Sequence, residues 1–186
     1  MPRYDLPKAA EGPLRLVQLF VNTVDHERAA EWLPTPAALG DWLAEHGLAV
    51  AEELDAAGLE RAQALREALR TLLRANALGG EAPDAVRTVN EAAAAAGLRV
   101  QLDETAAPRL VVHGAGVDAA LGRILVAVVE AMLDGSWSRL KACRQCGWAF
   151  YDASRNRSAT WCSMQICGNR TKTRAYRRRR AARSGR

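Results

Sequence analysis

The chain has 186 residues, 49% hydrophobic and 25% charged, with a net charge of +5, which suits one domain and a small appended module of ordinary soluble composition. Residues 1–12 lack the apolar stretch of a signal peptide, and the most apolar run, 124–133, is too short for a bilayer and contains Glu130, so secretion and membrane insertion are not expected. The charge is unevenly divided: residues 139–186 carry 14 Lys and Arg against one acid, Asp152, a net +13, whereas residues 1–138 carry 12 against 20, a net −8.

An acidic body with a basic end suits a protein that holds a polyanion by that end. With 23 Arg and only three Lys, arginine use itself reflects coding bias; the clustering carries the weight.

Taken in chain order, residues 14–24 are apolar and read as a buried helix or strand, with helix favoured. Thr35-Pro36 is an N-cap followed by proline at the first helical position, Leu39, Trp42 and Leu43 form the inward stripe, and Gly47 ends it. A short helical turn is expected over 51–57, before Gly58. Residues 59–78 form a longer amphipathic helix with Ala62, Leu65, Leu69, Leu72 and Leu73 on one face, ended by Gly79-Gly80. Pro83 opens another, with Val86, Val89 and Ala93 inward and Gly97 at its end. Leu98, Val100 and Leu102 then alternate with polar residues as a half-buried strand, and residues 110–113 supply a second, so the body has one β-hairpin at about 98–113. A last helical stripe runs through Val117, Leu121, Ile124, Leu125, Val128 and Met132 to Gly135. The fold class is α+β and mostly α-helical. A helical domain over 1–138 precedes a small treble-clef-like zinc finger with a basic C-terminal helix over 139–186, with Trp137 and Leu140 anchoring the finger to the body.

The four cysteines, Cys143, Cys146, Cys162 and Cys167, form a C-x2-C pair, fifteen residues, then a C-x4-C pair. A C-x2-C turn brings two thiolates to one metal, and Gly147 suits the tight backbone there. Phe150, Tyr151 and Trp161 suit a small hairpin in the intervening stretch, and Ser163 suits an N-cap that places Cys167 in the first turn of the last helix. Four thiolates close a tetrahedral site and leave no position for water or substrate, so the expected cofactor is one structural Zn2+. A redox or disulfide pair is the competing reading, disfavoured in a reducing compartment; the spacing matches no common iron–sulfur pattern.

A helix over 163–180 would be about 27 Å long. Arg170, Arg174 and Arg177 recur on one face with Lys172 and Arg178 flanking, Asn169 lies near the start, and Arg155, Asn156 and Arg157 sit in the finger loop. Guanidinium forks suit phosphate and guanine, and these nine residues are the candidate DNA contacts. A solvated basic terminus is the plainer alternative.

The stretch 140–180 resembles the CGNR zinc finger through its paired cysteines, Phe150-Tyr151-Asp152, Asn156-Arg157-Ser158, Trp161-Cys162-Ser163-Met164 and above all Cys167-Gly168-Asn169-Arg170. The N-terminal part is similar to the ABATE domain, through Phe20-Val21-Asn22-Thr23 followed by Asp25 and through the helix–hairpin–helix order. The resemblance implies a bacterial, stress-linked transcription regulator with DNA on the finger and sensing or regulation in the N-terminal domain.

Asn22 and Thr23 are read either as part of a ligand pocket or, by preference, as caps bonding nearby backbone, and Asp25 is a pocket candidate beside them. His26, His46 and His113 are scattered and form no metal or catalytic set, and no nucleophile–base pairing is legible, so no enzymatic activity is expected. The reading is thus a DNA-binding regulator in the cytoplasm, associated with the nucleoid, with a small-molecule effector and a homodimer as further partners and no membrane. An RNA-binding or ribosome-associated factor is the alternative.

Overall fold

The computed structural model describes residues 8–184, apart from the side chains of Ala175 and residues 178–184. Helix α1 (Leu14–Val21) carries Val17, Phe20 and Val21 into the core with no exposed surface. A two-residue hairpin follows, β1 (Val24–Asp25) against β2 (Ala30–Glu31), which the sequence did not suggest. Its strands are too short for any alternation to show. Thr35 caps α2 (Pro36–Glu45) as expected, its Oγ1 accepting from the Ala38 amide at 3.2 Å.

The expected turn of helix over 51–57 is absent. Asp55 is the N-cap of α3 (Ala56–Leu78), its carboxylate accepting from the Gly58 amide at 2.7 Å, so Gly58 lies inside the first turn. The apolar stripe of α3 lies inward as anticipated, with Ala62, Leu65, Leu69 and Leu73 fully buried. Helix α4 (Pro83–Ala95) follows, but Val86 is 46% exposed and does not join the core.

Strands β3 (Leu98–Leu102) and β4 (Pro108–Val112) form the expected antiparallel hairpin, pairing Leu98 with Val112, Val100 with Leu110 and Leu102 with Pro108. It is less buried than its alternation implies: only Leu98 packs on the core, while Val100 and Leu102 are exposed. The alternation correctly marks a face, but the hairpin is long enough to carry the outer half of that face past the helices. Helix α5 (Gly116–Leu133) crosses the centre with Leu121, Ile124, Leu125 and Val128 buried, whereas Met132 in its last turn is 46% exposed. The body therefore has two hairpins rather than one.

The basic region begins with β5 (Leu140–Ala142), paired antiparallel with β6 (Ala149–Tyr151), and ends with α6 (Asn169–Ser184). Trp137, Leu140, Ala142 and Ala149 belong to the same buried cluster as α1, α3 and α5. The finger's first hairpin is thus packed into the body's core. Among the described residues no helix is long and apolar enough to cross a membrane.

Candidate metal centre and nucleic-acid interface

Hairpin β5–β6 brackets the first cysteine pair. The Cys143 amide donates to the Trp148 carbonyl at 2.9 Å and the Gly147 amide to the Cys143 carbonyl at 2.9 Å, closing the knuckle. Gly147 has φ +74°, a left-handed conformation that glycine adopts without a Cβ clash. The hairpin therefore flanks the knuckle, where the sequence reading placed it between the cysteine pairs. Ser163 caps a π-helical turn (Met164–Gly168), its Oγ accepting from the Ile166 amide at 3.3 Å, and that turn carries Cys167 directly into α6.

These two local structures bring all four sulfurs within 4.8 Å of one another, each residue buried. The Sγ atoms of Cys146, Cys162 and Cys167 lie 3.7 Å apart in all three pairs. A tetrahedral zinc–tetrathiolate group with bonds of about 2.3 Å has sulfur–sulfur edges of about 3.8 Å, so the donor set fits zinc without rearrangement. Among the protein groups alone, hydrogen bonds from Cys146 and Cys162 favour ionisation of Cys143, whereas the thiol of Cys146 is pushed up to about 12. Four thiolates cannot share this volume without a cation among them.

On the hairpin that flanks the knuckle, Lys141 of β5 and Asp152, just after β6, form a buried ion pair at 2.8 Å. Burial raises the Asp152 carboxyl, but Lys141 and the donors on Ser154 and Ala159 outweigh it and hold it well below the usual range. Lys141 Nζ also donates to the Arg157 carbonyl, which ties down the loop between the cysteine pairs.

The body grips this module through side chains that sequence reasoning missed. Arg70 on α3 donates to the Gly147 carbonyl at 2.9 Å and to the Val21 carbonyl at 2.5 Å, joining the knuckle to the end of α1. Arg66 makes a bidentate pair with Glu31, at 2.8 and 2.7 Å, and donates to Thr23 Oγ1. Glu67 accepts from both arginines. Burial opposes its ionisation, but Arg70, His26 and Arg66 together lower its pKa. Gln18 Nε2 donates to the Ala149 carbonyl, and Asn76 Nδ2 donates to the carbonyls of Trp137 and Leu140. Lys8 Nζ donates to the Trp161 carbonyl and sits over the Phe150 ring, 4.7 Å from its centre. The available signal was the position of Arg66 and Arg70, one turn apart beside the apolar stripe of α3.

Of the three pocket candidates, Asn22 holds both polar groups of Ala149, donating to its carbonyl at 2.9 Å and accepting from its amide at 2.8 Å. Thr23 Oγ1 donates to the Phe20 carbonyl at 2.8 Å. Both also border a cavity between α1, α2 and Trp148. Asp25 does not; its carboxylate accepts from the amides of Glu27 and Arg28 and shapes the β1–β2 turn.

The candidate DNA contacts separate into groups. Asn169, Arg170, Arg174 and Arg177 line one shallow groove of about 480 Å3 with Gln165, Ile166 and Thr173. Lys172 is exposed on a flank of α6, and the Arg178 side chain lies outside the described residues. Arg155, Asn156 and Arg157 are exposed on the finger loop. Arg157 donates to Ser138 Oγ, and among the described residues no hydrogen bond or ion pair joins these three to α6. Arg170 is paired with Glu27 of the β1–β2 turn at 2.5 Å.

A closed four-cysteine centre feeding a basic helix, docked on a mainly helical body, defines a zinc-finger protein with a second, larger domain. The family comparisons agree: residues 14–135 match ABATE, described as "Putative stress-induced transcription regulator", and residues 139–180 match the CGNR zinc finger. The chain belongs to the ABATE family of transcription regulators and carries a CGNR zinc finger, whose four cysteines hold one structural zinc ion. Neither family description names an enzyme. No curated protein matches the chain.

Proposed function

We propose that this chain is a bacterial transcription regulator that binds duplex DNA through the finger and α6, while the N-terminal domain senses a signal. The observation that carries this reading is the junction at 167–170. A buried metal ligand, Cys167, is followed within one turn by Asn169 and Arg170, and the groove they begin continues through Arg174 and Arg177. Zinc fixes the start of the helix, so the guanidinium groups are presented from a rigid base at little ordering cost. Lys172 and Arg178 flank that face, and Arg155, Asn156 and Arg157 would meet backbone phosphates from the finger loop. Twenty acids on residues 1–138 would turn DNA away from the body and towards this end. A cytoplasmic, nucleoid-associated location, an effector and a homodimer belong to the same proposal.

Competition between duplex DNA and structured RNA for the zinc-loaded chain, in one filter-binding experiment, tests it. Duplex DNA is expected to displace RNA. The reverse order would replace this reading with that of an RNA-binding or ribosome-associated factor on the same basic helix.

A further inference from the structure

The cavity between α1, α2 and the finger knuckle has a volume of about 440 Å3, within the range of small-molecule sites. Its walls include four aromatic rings, those of Trp32, Trp42, Trp148 and His46. Trp42 packs against Phe20 at 5.5 Å between ring centres and stacks on His46 at 4.1 Å. Trp148 meets Trp32 nearly edge-on at 6.5 Å. His46 Nδ1 donates to the Trp42 carbonyl at 2.7 Å, which fixes the imidazole against the indole.

Among the described residues, the carboxylates Asp41 and Glu45 supply the charge on this cavity. Asp41 and Glu45, one turn apart on α2, both line it and are both exposed. Among the described residues neither has an ion-pair partner. Among the described residues no Lys or Arg lines the cavity. Asn22 and Thr23 contribute wall rather than free donors, because Asn22 is held by Ala149 and Thr23 by Phe20 and Arg66. Indole faces carry negative potential and attract cations, most strongly those with diffuse charge and weak hydration. Carboxylates at the rim add to that attraction and repel anions.

We propose that this cavity binds an organic cation bearing an alkylated ammonium group, with the indoles against its alkyl surface and Asp41 and Glu45 balancing its charge. The finger borders this cavity through Trp148, which is 2% exposed and follows the knuckle residues Cys146 and Gly147, and Arg70 holds the Gly147 carbonyl to α3, so a bound ligand would lie beside the finger. The site deepens the sensing half of the function proposed above and rests on that reading only for its regulatory meaning.

The test is a titration of the zinc-loaded full chain, by tryptophan fluorescence and calorimetry, with choline and with its uncharged isostere 3,3-dimethylbutan-1-ol. Choline is expected to saturate with a Kd of about 1 mM or tighter, and the isostere to bind about tenfold more weakly or worse. The double substitution D41N/E45Q, on exposed carboxylates, should weaken choline about fivefold or more and leave the isostere unchanged. Equal binding of the two probes, no saturation by choline up to about 10 mM, or undiminished choline binding by D41N/E45Q would each overturn the proposal. No DNA enters this experiment, so its failure is distinguishable from a failure of DNA binding.

Discussion

Replacing Asp152 with Asn probes the interaction that supports the finger. The substitution keeps the shape but removes the charge that balances Lys141, whose side chain is 4% exposed against 1% for Asp152. It also weakens the acceptor for the amides of Ser154 and Ala159, at 3.0 and 2.9 Å. Breaking a buried pair from one side costs about 3–5 kcal/mol, and the neighbouring carbonyls of Arg157 and Ala159, which still receive Lys141, place this case near about 3. With a urea m-value of about 2 kcal/mol/M, the unfolding midpoint of the zinc-loaded protein should fall by about 1.5 M. The pH dependence has a definite sign. Asp152 is held below its unfolded pKa of about 3.9, so its contribution is fully present above that value and is lost as pH falls through the folded pKa. The gap between parent and D152N should therefore stay constant from about pH 8 to about pH 5. A midpoint shift below about 0.3 M, or a gap that closes within that window, would refute the reasoning. The double variant K141M/D152N should cost less than the two single substitutions together, by about 1 kcal/mol or more.

Other consequences are equally direct. Protein purified without chelator should contain one zinc per chain by metal analysis, and Cys143→Ser should abolish that zinc and the order of the finger; metal-free parent protein would contradict the site. Asn22→Ala leaves the Ala149 amide without its side-chain acceptor, at a cost of about 2 kcal/mol, so calorimetry should show the melting temperature lowered by about 4–8 °C. Glu27→Gln frees Arg170 and removes a carboxylate beside the proposed DNA face, so affinity for duplex DNA, read by fluorescence anisotropy, should rise about two- to fivefold; no change would mean that Arg170 does not reach DNA.

The metal site was legible because its ligands are local. The C-x2-C pair sits in one knuckle, and Cys162 precedes the capped turn that carries Cys167, so spacing carried most of the geometry. Helices α1 to α5 were legible through caps and apolar periodicity, with Thr35 a clear case. What failed was depth. Val100, Leu102, Val86 and Met132 have the right period but are exposed, and periodicity marks a face without encoding whether another element covers it. The clamp between body and finger was hidden for a related reason. Arg70 meets Gly147, 77 residues along the chain, and in so arginine-rich a sequence its place beside the apolar stripe of α3 was too weak a signal to separate a buried guanidinium from a solvated one. Asn22 and Thr23 were read as either caps or pocket lining. In the structure Asn22 is a long-range clamp on Ala149 and Thr23 a local bond to Phe20, and both border a cavity whose other wall, Trp148, is supplied by the finger.

The central claim is that α6 meets phosphate along the face of Arg170, Arg174 and Arg177, and salt dependence measures that contact directly. For the zinc-loaded parent, with about six phosphates neutralised, log affinity for duplex DNA plotted against log salt should have a slope near about −5. Substituting these three arginines with alanine should make the slope shallower by about 3 and weaken binding to all sequences. A slope left unchanged by the triple substitution, or a parent protein that binds no duplex, would contradict the proposed interface.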